Sequence, residues 1–410
     1  MTVQLEMPVQ VKATAPSATK IAFILVTSLF FMWGLSHGLL DVLNKHFQDT
    51  LNVSKAQSGY LQAAYFGAYF IVALPVGIFM DRFGYKAGIQ IGLALFALGA
   101  LLFIPATGAG TFFAFLGALF VLACGLGCLE TAANLYASVL GKPETAERRL
   151  NFAQSFNGLG AFVGPLIGGS LFFAPPVALV GFTIDPVMLT YVCLGLVVIL
   201  MMVVFAAVPL PEIQAQSYSS EQEGTSRSLW SHSNFTGALV AQFFYIAAQV
   251  GVGAFFINYA IEHWSGLTTQ KASYLLSIAM LSFMIGRFVS TWLMRFIPAT
   301  GMLIAYALIN AVLCAVAVSG IQEFSVYALI GVFFFMSILY PSIFAMGVRN
   351  LGAHTKKAGS YLVMTLVGGA IAPYCMGAIA DVYGTAMAFI VPLVCFLVIA
   401  GYGIKQRREV

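Results

Sequence analysis

The stretch TFFAFLGALFVLACGLGCLETAANLYASVL, Thr111 to Leu140, carries a single charge, Glu130. About 20 apolar residues cross a hydrocarbon layer roughly 30 Å thick, so this segment reads as a membrane-spanning helix with length to spare. A mid-span carboxylate costs about 2.5 to 3.5 kcal/mol on insertion scales, and such residues usually face a bundle interior or water cavity and mark an ion or substrate path. Helical spacing puts Asn134 and the small Ala137 on the face of Glu130, at i+4 and i+7, while Gly125 and Gly127 admit a close neighbour one turn earlier. A glutamate neutralised by its neighbours for structure alone is the plainer alternative, and it stays open.

Working outward, the whole chain shares this character. Of 410 residues, 60% are apolar and 8% charged, against the quarter or so charged in soluble domains. An all-α integral membrane protein is expected, and no alternating polar pattern points to a barrel. The six cysteines lie in apolar spans without a CxxC pair, so neither a disulfide framework nor a metal site is indicated. No G-x-x-x-x-G-K-[ST] loop occurs, which argues against ATP-driven work. No cofactor and no nucleic acid are expected; the partners are a small molecule and membrane lipid, with the chain acting as a monomer.

Twelve apolar spans follow one another in two sets of six. They organise the chain as a tail (1–20), a six-helix half (21–208), a polar linker (209–232), a second half (233–403) and a short tail (404–410). With both termini cytoplasmic, fifteen of the nineteen Lys and Arg fall on the cytoplasmic side, which fixes the orientation and fits a multi-pass protein of a cell inner membrane. Parallel six-helix repeats place substrate and ion sites near the midplane between the halves.

The segment Gly77-Ile78-Phe79-Met80-Asp81-Arg82-Phe83-Gly84-Tyr85-Lys86 resembles the G-x-x-x-D-R-x-G-R-R loop signature of the major facilitator superfamily, departing at Tyr85. The resemblance implies Asp81 as a gate residue that latches the inner face, with Arg82 and Arg148 beside it. An acid there could accept bonds from a helix N-terminus or from Arg148. Longer stretches are similar to the fucose-proton symporter family of sugar porters within that superfamily. They include Gly125 to Asn134, Leu150 to Asn157, Ala241 to Tyr245, Ile285 to Phe288 and Tyr340 to Phe344. The resemblance implies that Asp41 and Glu130 carry the proton and contact the sugar, and that Gln154 is a sugar partner. It also implies the twelve-helix major facilitator fold, proton symport and no enzymatic activity.

The residues support such a pocket on their own terms. A sugar offers hydroxyls and a flat apolar face, which amides, acids and aromatics recognise. Asn134 joins Glu130; Gln154 and Asn157 lie at i and i+3; Gln242, Tyr245 and Gln249 lie at i, i+3 and i+7; Trp33 and Phe30 sit on the first span. For each amide alone, a helix-to-helix hydrogen bond is an equal alternative. Ahead of Asp41 this chain has Ser36-His37-Gly38 where the fucose family places asparagines, so fucose itself is less expected than another hexose or an amino sugar. His37, one turn from Asp41, could pair with it and relay a proton. Gly160 to Gly169 resembles the G-x-x-x-G-P-x-x-G-G pattern of antiporters, which keeps a drug antiporter as the runner-up, beside sodium coupling and a non-transporting sensor on the same fold. Arg287, inside the eighth span, is costly and should pair or line the inner vestibule.

Overall fold

A computed structural model describes residues 16–140, 146–179, 182–209, 229–349, 351 and 355–409. Nearly all of them are helical. The first half comprises α1 (Pro16–Leu51), α2 (Tyr60–Phe83, preceded by the turn Lys55–Ser58), α3 (Tyr85–Leu101, continued by Phe103–Ala109), α4 (Phe112–Val139), α5 (Ala146–Leu171) and α6 (Pro186–Ala207). A two-residue-linked antiparallel ribbon, β1 (Val177–Leu179) with β2 (Phe182–Ile184), joins α5 to α6. The second half comprises α7 (Ser233–His263), α8 (Thr269–Leu293), α9 (Ala299–Ser319), α10 (Gln322–Met336 and Leu339–Gly347), α11 (Thr355–Met364, a 3-10 turn at Thr365–Val367, then Gly368–Tyr383) and α12 (Thr385–Ala388, Ile390–Glu409). Among the described residues, eleven helices are long and apolar enough to cross a membrane; α5, richer in polar side chains, completes the set of twelve.

Two boundaries differ from expectation for a physical reason. The unbroken apolar run of the first span, Ile21 to Leu40, would end there, yet α1 runs on to Leu51 because Asp41, Asn44 and His46 are buried among helices rather than released into a loop. It also begins at Pro16, inside the expected tail. Most of the expected linker lies outside the described residues.

Within each half, small residues let helices close. A Cβ on Gly164 of α5 would lie 2.7 Å from the Cα of Gly38 on α1, so these two backbones touch, and Pro165 sits inside α5 without ending it. This is the close packing that the glycine-rich run of α5 predicts. Between the halves, α1 meets α7, α2 meets α11 and α5 meets α8. Helix ends carry ordinary caps: the Asp185 side chain accepts from Met188 N at 2.9 Å with Pro186 at the first helical position, and Thr268 accepts from Lys271 N at 3.3 Å.

Candidate functional site

Glu130 lies in the C-terminal half of α4, half-buried, on a crevice lined by Leu29, Phe30, Trp33, Leu129 and Ala133. The crevice is closed tightly enough to leave no volume for a water molecule. The Oε2 of Glu130 is buried without a hydrogen-bond partner, and among the described residues this carboxyl makes no ion pair. A buried polar atom without a partner costs about 1–3 kcal/mol, so its position asks for a partner that arrives from outside the protein or in another conformation. Tyr65 and Tyr69 of α2 and Tyr340 of α10 stand within electrostatic reach of it, so both halves surround this carboxyl.

Asp41 is placed differently. It is 3% exposed and faces the opposite half, where a Cβ on Gly253 of α7 would come 2.8 Å from its Oδ2. Gln62 of α2 lies beside it. One turn later, Asn44 Nδ2 donates to the Ala254 carbonyl at 3.0 Å, and Asn258 Nδ2 donates to Gln48 Oε1 at 2.6 Å. Asp41 therefore belongs to a polar seam between α1 and α7, not to the crevice around Glu130. The pairing with Asp41 that spacing left open to His37 is not made: the His37 ring packs instead against Tyr65 and Phe66, with centroids 6.1 and 5.9 Å apart. The cause lies in α2, whose aromatic rings occupy the imidazole's side of α1.

Of the other candidates, several satisfy one another. Gln154 Nε2 donates to Asn134 Oδ1 at 3.1 Å, Asn157 Nδ2 donates to the Phe30 carbonyl at 3.4 Å, and Tyr245 Oη donates to the Met336 carbonyl at 3.0 Å. Trp33 lines the Glu130 crevice and stands beside Tyr69. Gln242 is fully buried with neither amide atom hydrogen-bonded, next to Tyr340, and Gln249 is half-buried. Arg287 spends its charge on the break in α10, where its Nε donates to the Ser337 carbonyl at 3.4 Å and its guanidinium lies 5.0 Å from the Phe283 ring. A carbonyl at a helix C-terminus is a natural partner for a cation. Arg82 lies over the Phe83 ring at 5.5 Å. The side chains of Asp81 and Arg148 lie outside the described residues.

Sequence reasoning missed the α2 face. Gln62, Tyr65 and Tyr69 recur at i, i+3 and i+7, the same stripe spacing that singled out α7, and Gln62 is fully buried with both amide atoms unpartnered. Tyr65 and Tyr69 share a hydroxyl contact of 3.3 Å. Tyr340 of α10 was missed as well.

The family model of the Major Facilitator Superfamily matches residues 22–365. A glucose/galactose transporter of Brucella abortus is 35% identical over 98% of this chain and 98% of its own. The L-fucose-proton symporter of Escherichia coli is 37% identical over 92% of this chain and 91% of its own. Among solved structures, the fucose transporter FucP in its outward conformation shares 35% identity and superposes with a TM-score of 0.69, covering 95% of this chain and 99% of that one. An inward-facing bacterial homologue of the lysosomal transporter Spinster superposes with a TM-score of 0.80 at 13% identity, over 96% of this chain and 98% of that one, a likeness of fold alone. With twelve helices in two halves, a family model matched over most of the length and relatives above 30% identity spanning nearly all of it, the chain belongs to the major facilitator superfamily.

Proposed function

We propose that this protein imports a monosaccharide together with a proton across the cell inner membrane, both termini cytoplasmic, by rocking its six-helix halves about a central site. The observation that carries the reading is Glu130, a carboxyl with an unpartnered oxygen in an aromatic crevice, reached from both halves. An acid in that position can hold a proton or accept a sugar hydroxyl, and the Phe30 and Trp33 rings suit the apolar face of a pyranose. Gln242 and Gln249, not committed to protein partners, are the amides best placed to meet hydroxyls. Asn134, Gln154, Asn157 and Tyr245 would have to exchange the bonds they now make. Asp41 and His37 are assigned to the proton, Asp81, Arg82 and Arg148 to the inner gate, and the working unit is a monomer in lipid.

Relatives named for glucose/galactose and for L-fucose transport support a hexose. The Ser36-His37-Gly38 stretch, where the fucose family carries asparagines, favours the glucose/galactose type. The test is uptake of labelled glucose, galactose, fucose and N-acetylglucosamine into proteoliposomes, with proton and sodium gradients imposed separately. Proton-driven, sodium-independent uptake of a hexose, with alkalinisation of the medium, is expected. Uptake that needs sodium and moves no protons would sink the coupling, and indifference to every sugar would sink the substrate.

A further inference from the structure

Helix α11 ends as α2 does. Gly377-Ala378-Ile379-Ala380-Asp381-Val382-Tyr383-Gly384 repeats the Gly-x-x-x-Asp-x-x-Gly spacing of Gly77 to Gly84. Both closing glycines sit at positive φ, Gly84 at 84° with ψ 167° and Gly384 at 89° with ψ 159°, and each donates its N–H to the carbonyl four residues back. That backbone geometry calls for glycine. It also leaves an acid in the last turn of a helix, where the dipole disfavours negative charge, so the carboxylate needs donors from elsewhere.

Asp381 finds them in the other half. Its Oδ1 accepts from Lys55 N and its Oδ2 from Ala56 N, both at 2.9 Å, at the turn that opens into α2. The same lysine extends the contact: Lys55 Nζ lies 2.6 Å from Glu262 Oε1 on α7 and 2.8 Å from Thr385 Oγ1 at the start of α12, and Thr385 Oγ1 donates to Glu262 Oε1 at 2.8 Å. Small residues bring the backbones together, since a Cβ on Gly59 would lie 2.6 Å from Tyr374 N and one on Gly377 would lie 2.5 Å from Ala56 Cα. Tyr60 and Tyr374 stack across the same junction at 5.4 Å.

We propose that Asp381, with Lys55, Glu262 and Thr385, is the latch that holds shut the mouth opposite the one the Asp81 signature serves, so that two acids on matched helix ends secure the two mouths in turn. The proposal rests on the alternating-access reading above, under which this is the outer mouth. Every bond in it except Thr385 to Glu262 crosses between halves that must part at this mouth when it opens. The FucP structure, solved in the outward conformation, superposes with a TM-score of 0.69 at 35% identity. Charged hydrogen bonds at a surface suit such a device, because water can take over each donor and acceptor as the mouth opens.

The latch is tested by spin labels at Thr50 on α1 and Val382 on α11, exposed positions outside the bond network, with the exposed Cys193 and Cys375 replaced by serine. Pulsed dipolar distances in nanodiscs report the outer mouth directly. Asp381→Ala should raise the ratio of open to closed mouth about tenfold, a change of ~1.4 kcal/mol, and Asp381→Asn or Glu262→Gln should raise it less. Should Asp381→Ala fail to fold, the two milder variants read the same ratio. An unchanged distance distribution in the folded variants would overturn the latch. That result is separable from failure of the transport reading, which would appear as absent sugar uptake in the parent protein.

Discussion

Glu130 and Asp41 are both acids in the apolar runs of helices in the same half, yet their surroundings differ. Glu130 has an unpartnered oxygen in a crevice whose aromatic rings, Phe30 and Trp33, come from the first half, with Tyr340 of the second half within electrostatic reach. Asp41 is 3% exposed in a seam that a Cβ at residue 253 would crowd, 2.8 Å from its Oδ2. The contrast separates two tasks that a proton-coupled carrier must perform: meeting a ligand, and allowing the halves to close over it. A charged carboxylate can be tolerated where an opened crevice admits water or sugar, whereas a sealed seam accepts it poorly. On the proposed reading, Asp41 would sense closure of the halves and Glu130 occupancy of the site.

The largest expected effect comes from Glu130→Gln. The amide keeps shape and hydrogen bonding but cannot ionise, so concentrative uptake under a proton gradient should vanish while counterflow between equally loaded compartments persists within a few-fold. Accumulation by the variant would make Glu130 a structural acid and collapse the contrast. Next, Gly253→Ala places a Cβ 2.8 Å from Asp41 Oδ2, so closing the seam must displace one of them. Counterflow should slow about tenfold, ~1.4 kcal/mol on the closing step, with sugar affinity in a binding assay little changed. Wild-type exchange rates from Gly253→Ala would show that the seam does not limit the cycle.

A smaller change is expected at the inner gate. Asp81→Asn should slow transport several-fold by the motif's implied latch role, a loss on the order of 1 kcal/mol, with sugar affinity within a few-fold. A large affinity loss at intact switching rate would remove Asp81 from the gate. Gln154→Leu sharpens the picture of the pocket wall. If its bond to Asn134 is only a tie between α5 and α4, thermal stability should fall by about 1 kcal/mol with KM unmoved. If Gln154 exchanges that bond for a hydroxyl, KM should rise instead, and the two readouts decide between them.

Much of the fold was legible because membrane helices leave little choice: long apolar runs must satisfy their own backbone, and polar breaks mark where they leave the bilayer. Glu130 stood out for the same reason, as a charge whose cost needs a cause. The α5 glycines and the paired Gly-x-x-x-Asp-x-x-Gly ends were likewise present in the letters. What the sequence could not decide is partnership. Gln154 and Asn134, Asn157 and Phe30, and Asp381 and Lys55 are distant or unremarkable pairs along the chain, and only the docking of helices brings each donor to its acceptor. His37 shows the same limit from the other side. Its one-turn spacing from Asp41 permits a contact, but the rings of α2 take that space, because side-chain direction within one helix is settled by what the neighbouring helix already fills.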